Sequence, residues 1–179
     1  MKRKNWWYMV LMWALLVAAP AVSSASEEDA EWLGKPAPVF ALKDLDGNAL
    51  NLMELRGKVV WLNFWGLRCG PCVRELPALQ KIHQDYAAKG LLIIGVNADG
   101  VDSEFIRKQF ASRDDLKNAG VTFPLAPDEE FGVIDVYGLM GAPLNMMIDQ
   151  EGVIRYRHEG YEDGDEVHYL EVVQKLLAR

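Results

Sequence analysis

The sequence is short of the residues from which metal sites and disulfide frameworks are built. Its 179 residues include two cysteines, and its three histidines, His83, His158 and His168, are scattered along the chain. A structural zinc site needs four ligands, which this set does not supply at a suitable spacing. Val73 rather than a histidine follows Cys72, which excludes attachment of a c-type haem. A Cu(I) site made by two thiolates stays open.

The N-terminus has the three-part pattern of an export signal. Basic residues 2–4 precede an apolar body at residues 6–19, and small residues lead to Ala25, after which acidic residues begin. We predict a signal peptide or N-terminal membrane anchor over residues 1–25. Cleavage after Ala25 is the leading expectation, but residues 6–22 are long enough to form an uncleaved, tilted anchor. Either form places the remaining domain in the periplasm or on the extracytoplasmic face of a membrane.

The rest of the chain is acidic and of single-domain size. Residues 26–34 are expected to form a short linker, and residues 35–179 one domain. Removing the three basic residues of the leader from the 19 Lys and Arg leaves 16 against 26 Asp and Glu, a formal charge of −10. This balance argues against nucleic acid and anionic lipid surfaces as partners. It leaves two interpretations open: a basic partner surface, or an acidic surface that serves only solubility, which is the more common case.

The two cysteines form a Cys-x-x-Cys pair, Cys69-Gly70-Pro71-Cys72, shortly after the largely apolar run 59–64. This position predicts a dithiol where a buried strand leads into a helix. Unpaired backbone N–H groups and the helix dipole at a helix start favour thiolate at the first cysteine. A disulfide closing so short a loop removes little entropy from the unfolded chain, so a purely structural bridge explains the pair poorly. The pattern predicts thiol–disulfide exchange.

Apolar periodicity predicts an α/β fold. Runs 58–65 and 91–96 are continuous enough for strands covered on both faces, and helical spacing lies between them at 73–89. This order indicates a parallel βαβ unit with the dithiol at the carboxyl end of its first strand. The other predicted elements are a hairpin around the turn 44–48, helices at 103–119 and 129–137, an antiparallel hairpin at 144–161, and a closing helix at 163–179 with Val167, Leu170, Val173, Leu176 and Leu177 facing the sheet.

Residues 61–77, Trp-Leu-Asn-Phe-Trp-Gly-Leu-Arg-Cys-Gly-Pro-Cys-Val-Arg-Glu-Leu-Pro, resemble the active-site block of extracytoplasmic thioredoxins of the TlpA/ResA-like group. The resemblance implies a thioredoxin-like fold of the AhpC/TSA-Redoxin type, with a central mixed sheet flanked by helices and an N-terminal β-hairpin extension. It extends over nearly everything from Lys35 onward. Further segments that match in order and spacing are 36–40, 55–60, 95–97, 137–138, 141–143, 148–149 and Gly152.

The resemblance implies roles for residues of the dithiol and of a second loop. Cys69 would attack a partner disulfide and Cys72 would resolve the mixed disulfide, with Gly70-Pro71 setting the geometry and redox poise of the pair. Pro143 would follow a cis peptide bond and pack against the dithiol. Ala142 would then offer its backbone to an extended substrate segment.

Glu75 is the acidic residue of greatest interest. It lies three residues after Cys72 and is expected to point back beneath the pair, where a buried carboxyl with a raised pKa can shuttle protons. Ordinary thioredoxins have an Asp for this task at the position of Asn63, which cannot titrate. The TlpA/ResA-like pattern has a Glu at the position of Glu75. The alternative is a solvated glutamate on the helix surface.

Two positions depart from the family pattern. Arg68 stands where a Trp usually precedes the first cysteine, and its charge is expected to stabilise a thiolate at Cys69 and to steer acidic partners. Leu144-Asn145 follows Pro143 where Thr-Thr is common. Trp65 and Arg68 complete the predicted substrate-binding set. The departures bear on the identity of the partner more than on the chemistry.

These observations predict an extracytoplasmic thiol-disulfide oxidoreductase that reduces specific protein disulfides, with cytochrome c maturation as a candidate pathway. No cofactor is expected beyond the Cys69–Cys72 disulfide, and no resident metal. A membrane thiol reductase would have to supply electrons. The alternatives are a dithiol oxidant or isomerase, and a non-enzymatic copper-binding chaperone that recruits Met140, Met146 or Met147. A peroxidase would need a Thr and an Arg framing one cysteine.

Overall fold

The computed structural model describes residues 31–179. Its centre is a five-stranded mixed sheet in the order β5-β4-β3-β6-β7, and two further strands form a separate antiparallel hairpin. Strands β3, β4 and β5 are parallel, β6 runs antiparallel to β3, and β7 runs antiparallel to β6. The strands are β1 (Ala41–Lys43), β2 (Ala49–Asn51), β3 (Val59–Trp65), β4 (Leu91–Asn97), β5 (Leu125–Pro127), β6 (Leu144–Ile148) and β7 (Ile154–Glu159). The helices are α1 (Gly70–Tyr86), α2 (Ser103–Ser112), α3 (Asp114–Ala119), α4 (Gly132–Val136) and α5 (Asp165–Leu177).

The central sheet and the hairpin of β1 and β2 agree with the architecture expected from the sequence. The predicted leader at residues 1–25 lies outside the described residues. Residues 31–34, the described part of the expected linker, contact the domain: Trp32 stacks on Tyr137 with ring centroids 6.1 Å apart, and Gly34 N–H donates to the Ile154 carbonyl. Within residues 31–179, no helix is long and apolar enough to cross a membrane.

Strand β3 holds the two apolar layers of the domain together. All seven of its residues are buried, and alternate side chains enter opposite layers because successive residues of a strand point to opposite faces. Val59, Trp61 and Trp65 pack in the layer that includes α1 and α5, whereas Val60, Leu62 and Phe64 pack in the layer under the hairpin and α4. The prediction of a strand covered on both faces is confirmed.

Helix α1 begins three residues earlier than predicted, at Gly70. Cys69 is its N-cap residue, with extended backbone and a sulfur that accepts from the Cys72 N–H. Pro71 is tolerated in the first turn because its missing N–H would have no partner there. Leu76 and Leu79, which follow one another by three positions within the predicted helical spacing, are fully buried. The helix therefore starts at the dithiol itself.

Three other elements differ from the prediction. The helix expected at 103–119 breaks at Arg113, whose extended backbone (φ −104°, ψ 122°) separates α2 from α3. Strand β5 was not foreseen, since it is three residues long and includes Pro127. Val167, expected to face the sheet, is exposed, and Tyr169 is fully buried in its place. The local patterns are too short or too polar to decide these cases.

Gly95 of β4 is predicted to be required for close packing beside the dithiol strand. A Cβ atom at this position would lie 2.6 Å from Leu125 Cδ2 and 3.2 Å from Trp65 Nε1. We expect Gly95→Ala to lower the free energy of unfolding by about 1–3 kcal/mol, as overpacking does. Chemical denaturation measures this change. Gly132→Ala is the control, because a Cβ there meets nothing within 4 Å, and it should leave the stability unchanged or raise it by up to about 1 kcal/mol. Equal stability of the wild type and Gly95→Ala would contradict the prediction.

Candidate active site

Cys69 and Cys72 form a disulfide at the carboxyl end of β3, where α1 begins. Cys69 is partly exposed, whereas Cys72 is fully buried. The backbone N–H of Cys72 donates to Cys69 Sγ over 3.2 Å. Because this N–H points at the sulfur from the start of the helix, a negative charge on Cys69 is stabilised once the disulfide opens. The arrangement supplies one accessible sulfur and one protected sulfur.

The Pro143 loop lies directly against the accessible sulfur. The Ala142–Pro143 peptide bond is cis, as expected, and the Ala142 carbonyl oxygen is 3.3 Å from Cys69 Sγ. Gly160 N–H donates to the Pro143 carbonyl over 2.7 Å, which anchors the loop beside the end of β7. Ala142 is exposed, and its own N–H has no hydrogen-bond partner among residues 31–179. A free backbone donor therefore stands next to the reactive sulfur.

Glu75 is fully buried on α1, three residues after Cys72. Burial raises the pKa of its carboxyl to about 7; hydrogen bonds from Asn145, Tyr169 and Asn63 act in the opposite direction, and the nearby negative charge of Asp165 raises the pKa further. The predicted buried carboxyl with a raised pKa is thus present, and the alternative of a solvated helix glutamate is excluded. A group with this pKa exchanges protons near neutral pH.

Asn145 connects Glu75 to the sheet. Its Nδ2 donates to Glu75 Oε1 over 2.7 Å, and its Oδ1 accepts from Trp61 Nε1 at 2.8 Å and from Asn63 Nδ2 at 3.0 Å. Asn63 Nδ2 also donates to Glu75 Oε2 over 2.9 Å, and Asn63 and Asn145 are paired neighbours on β3 and β6.

Sequence reasoning noted Asn145 only as a departure from the family pattern and missed Tyr169, whose hydroxyl donates to Glu75. For Asn145, the signal available in the sequence was a polar side chain inside an apolar strand.

The predicted substrate-binding residues separate into two groups. Arg68 and Gly70 are exposed and Pro71 is partly exposed, all adjacent to Cys69. Trp65 is instead fully buried against Phe110, with ring centroids 5.9 Å apart. Its expected place at the substrate surface is therefore corrected: the last residue of β3 points into the core because alternation along the strand directs it there.

The methionines considered for a copper site do not converge on the dithiol. Met146 and Met147 are fully buried in the two different apolar layers, and Met140 is 83% exposed. Within residues 31–179, no three or more His, Cys, Asp or Glu side chains are grouped to hold a metal ion.

The buried carboxyl of Glu75 is predicted to make stability depend on pH. Because its pKa rises from 4.5 to about 7 on folding, the folded state favours the protonated carboxyl. The associated stability is complete below pH 4.5 and is lost as the pH rises through about 7, with a total of about 3 kcal/mol.

We expect the free energy of unfolding of the oxidised protein, relative to Glu75→Gln, to fall by this amount between about pH 4 and about pH 8. Denaturation at each pH measures it. Glu130→Gln, which removes an exposed carboxylate, is the control and should follow the wild type. A constant difference between the wild type and Glu75→Gln would rule the effect out.

Comparison with known proteins agrees with this site. A sequence profile of the AhpC/TSA family matches residues 33–157. The thiol-disulfide oxidoreductase ResA of Halalkalibacterium halodurans is 36% identical over 163 residues, which cover 89% of this chain and 89% of that protein. ResA of Bacillus cereus is 34% identical over 149 residues, with 83% and 82% of the two chains covered.

Solved structures show the same architecture. A candidate thiol:disulfide interchange protein DsbE from Chlorobium tepidum superposes with a TM-score of 0.72 at 29% identity, covering 81% of this chain and 97% of its own. A thiol:disulfide interchange protein from a Bacteroides species gives 0.66 at 27% identity, with 82% and 91% covered. The fold is therefore the thioredoxin-like fold that the sequence indicates. The chain belongs to the AhpC/TSA family and, within it, to the ResA-like thiol-disulfide oxidoreductases.

Proposed function

We propose that the protein reduces disulfides of client proteins on the extracytoplasmic side of a membrane. The observation that carries this proposal is the pairing of a partly exposed Cys69 with the exposed backbone of Ala142, 3.3 Å from its sulfur. A backbone carbonyl of an extended client segment can accept a hydrogen bond from the Ala142 N–H while the segment presents its disulfide to Cys69. Because Cys72 is buried, it can react only with a client that is already bound to Cys69 through a mixed disulfide.

The exchange proceeds in two balanced steps. In the reduced protein, the Cys69 thiolate attacks one sulfur of the client disulfide, and the other client sulfur leaves as a thiolate that takes up a proton. Cys72 then loses its proton and attacks Cys69 Sγ. The second client sulfur leaves, and the Cys69–Cys72 disulfide forms. Two electrons have moved from the protein dithiol to the client.

We propose that Glu75 is the base that accepts the proton lost by Cys72. The two residues lie three positions apart on α1, so their side chains share a face of the helix, and both are fully buried. Bulk water cannot serve as base at such a site. A carboxyl with a pKa of about 7 is suited to accept a proton near neutral pH.

The proposed direction of electron flow requires a second partner. Client reduction oxidises the dithiol, and extracytoplasmic compartments lack the cytosolic systems that keep thiols reduced. A membrane thiol reductase would return the electrons. The export-like pattern of residues 1–25 supports this location, and residues 6–22 would form the anchor if the leader is not cleaved. We include cytochrome c maturation in the proposal because the TlpA/ResA-like resemblance implies it.

The reduction potential of the Cys69/Cys72 couple tests the direction. We expect a value near that of thioredoxin, about −270 mV, or lower, measured by equilibration with dithiothreitol or glutathione. A value near about −120 mV, typical of strong oxidants, would instead indicate a disulfide donor or isomerase.

Trapping of clients tests the assignment of the two sulfurs. Cys72→Ser is expected to accumulate mixed disulfides through Cys69, because the resolving thiol is missing. Cys69→Ser is the matched control and should trap none, since the remaining thiol is buried. Mass spectrometry of the non-reduced adducts measures both. Adducts in equal amount from the two variants would contradict the roles proposed.

The proton transfer is tested by the pH dependence of the second step. With Glu75→Gln, resolution of a preformed mixed disulfide should slow by about tenfold or more at neutral pH, because the base is gone. The wild-type rate should rise through about pH 7, whereas the variant should lack this inflection. Glu130→Gln should retain the wild-type profile. An unchanged profile in Glu75→Gln would remove Glu75 from the mechanism.

A further inference from the structure

A groove of about 390 Å³ opens beside Cys69. It lies between the loop before α1, the first turns of α1, and the break between α2 and α3. We call it the arginine groove, because three of its lining residues are Arg68, Arg74 and Arg113. Its other lining residues are Leu67, Cys69, Gly70, Val73 and Asp115.

One of the three arginines has its charge compensated. Arg113 forms a two-point contact with Asp115, Nε to Oδ1 at 3.2 Å and Nη2 to Oδ2 at 2.6 Å. Its remaining Nη1 donates to the Leu67 carbonyl over 2.5 Å, which ties the loop before the dithiol to the break between α2 and α3. Arg113 and Asp115 therefore build the wall of the groove and leave no net charge there.

The other two arginines are free to bind. Arg68 and Arg74 are exposed, and neither makes a hydrogen bond or an ion pair with any residue in 31–179. Arg68 directly precedes Cys69 in the chain. Arg74 Nη1 lies 3.7 Å from the position that a Cβ on Gly70 would occupy. Two uncompensated guanidinium groups thus flank the reactive sulfur on a chain with a formal net charge of −7.

We propose that the arginine groove selects protein disulfides that have aspartate or glutamate next to the reacting cysteine. This inference rests on the proposed reduction of client disulfides and defines their local chemistry. A guanidinium presents a planar fork of donors that matches a carboxylate. The groove is solvent-exposed, so the attraction acts on the rate of encounter and weakens as salt screens it.

Three disulfide-bridged peptides of equal length test the proposal, with Asp, Asn or Lys on both sides of each cysteine. The rate constant for reduction by the reduced protein is measured for each and divided by the rate with dithiothreitol, which corrects for the reactivity of each peptide. We expect a normalised Asp-to-Asn ratio of about ten in about 10 mM salt, falling toward one in about 1 M salt, where the Debye length is about 3 Å. The Lys peptide should be slower than the Asn peptide in low salt.

Arg68→Gln combined with Arg74→Gln should bring the low-salt ratio close to one. The ratio is the readout because Arg68 also acts on the charge of Cys69, which changes the rates of all three peptides alike. Lys81→Gln is the matched control: it removes an exposed positive charge from the same helix outside the groove and should keep the wild-type ratio.

Two results would overturn the inference while the proposed function stands: equal normalised rates for all three wild-type reactions, or an unchanged ratio in the double arginine variant. Failure of the reduced protein to reduce any of the peptides, although dithiothreitol reduces all of them, would overturn the proposed function and this inference with it.

Discussion

The buried carboxyl of Glu75 is the constraint around which the rest of the domain is arranged. A carboxyl removed from water must find hydrogen-bond donors within the protein, and here they come from three different elements. Asn63 lies on β3, Asn145 on β6 and Tyr169 on α5, while Glu75 itself lies on α1. Satisfying one carboxyl therefore requires the β3–β6 register, the docking of α1 and the position of α5 to be correct together. The same alignment places the start of α1 against the Pro143 loop, which leads into β6.

Charge acts on two length scales in this protein. The chain as a whole is acidic, whereas the arginine groove beside Cys69 is proposed to attract an acidic client segment. The two are compatible because solvent and salt restrict a surface charge to about 10 Å. The proposed selection by the groove therefore concerns only the residues next to the client disulfide. On this proposal Arg68, a departure from the family pattern, acts on client selection in addition to its effect on the charge of Cys69.

The parts of the fold that were predicted correctly depend on local signals. The continuous apolar run of β3 and the Cys-x-x-Cys spacing each identify a structure within a few residues. The parts that were missed depend on contacts between distant segments. The break at Arg113 is held by the Leu67 carbonyl, 46 residues away. Val167 and Tyr169 point to different sides of α5, and the side that packs on the sheet is the one that carries Tyr169, whose ring centroid lies 5.1 Å from that of Trp61.

The sequence by itself determined the chemistry of the protein, because a dithiol between a buried strand and a helix start is defined by adjacent residues. It also indicated the cis bond before Pro143 and a carboxyl at Glu75, through resemblance to a family. Only the tertiary structure decided what surrounds these groups. The raised pKa of Glu75 comes from burial beneath elements that are 12 to 94 residues away in sequence, and the arginine groove forms where Arg113 meets the loop before Cys69. Desolvation and juxtaposed charges depend on three-dimensional packing, which no short segment of the chain contains.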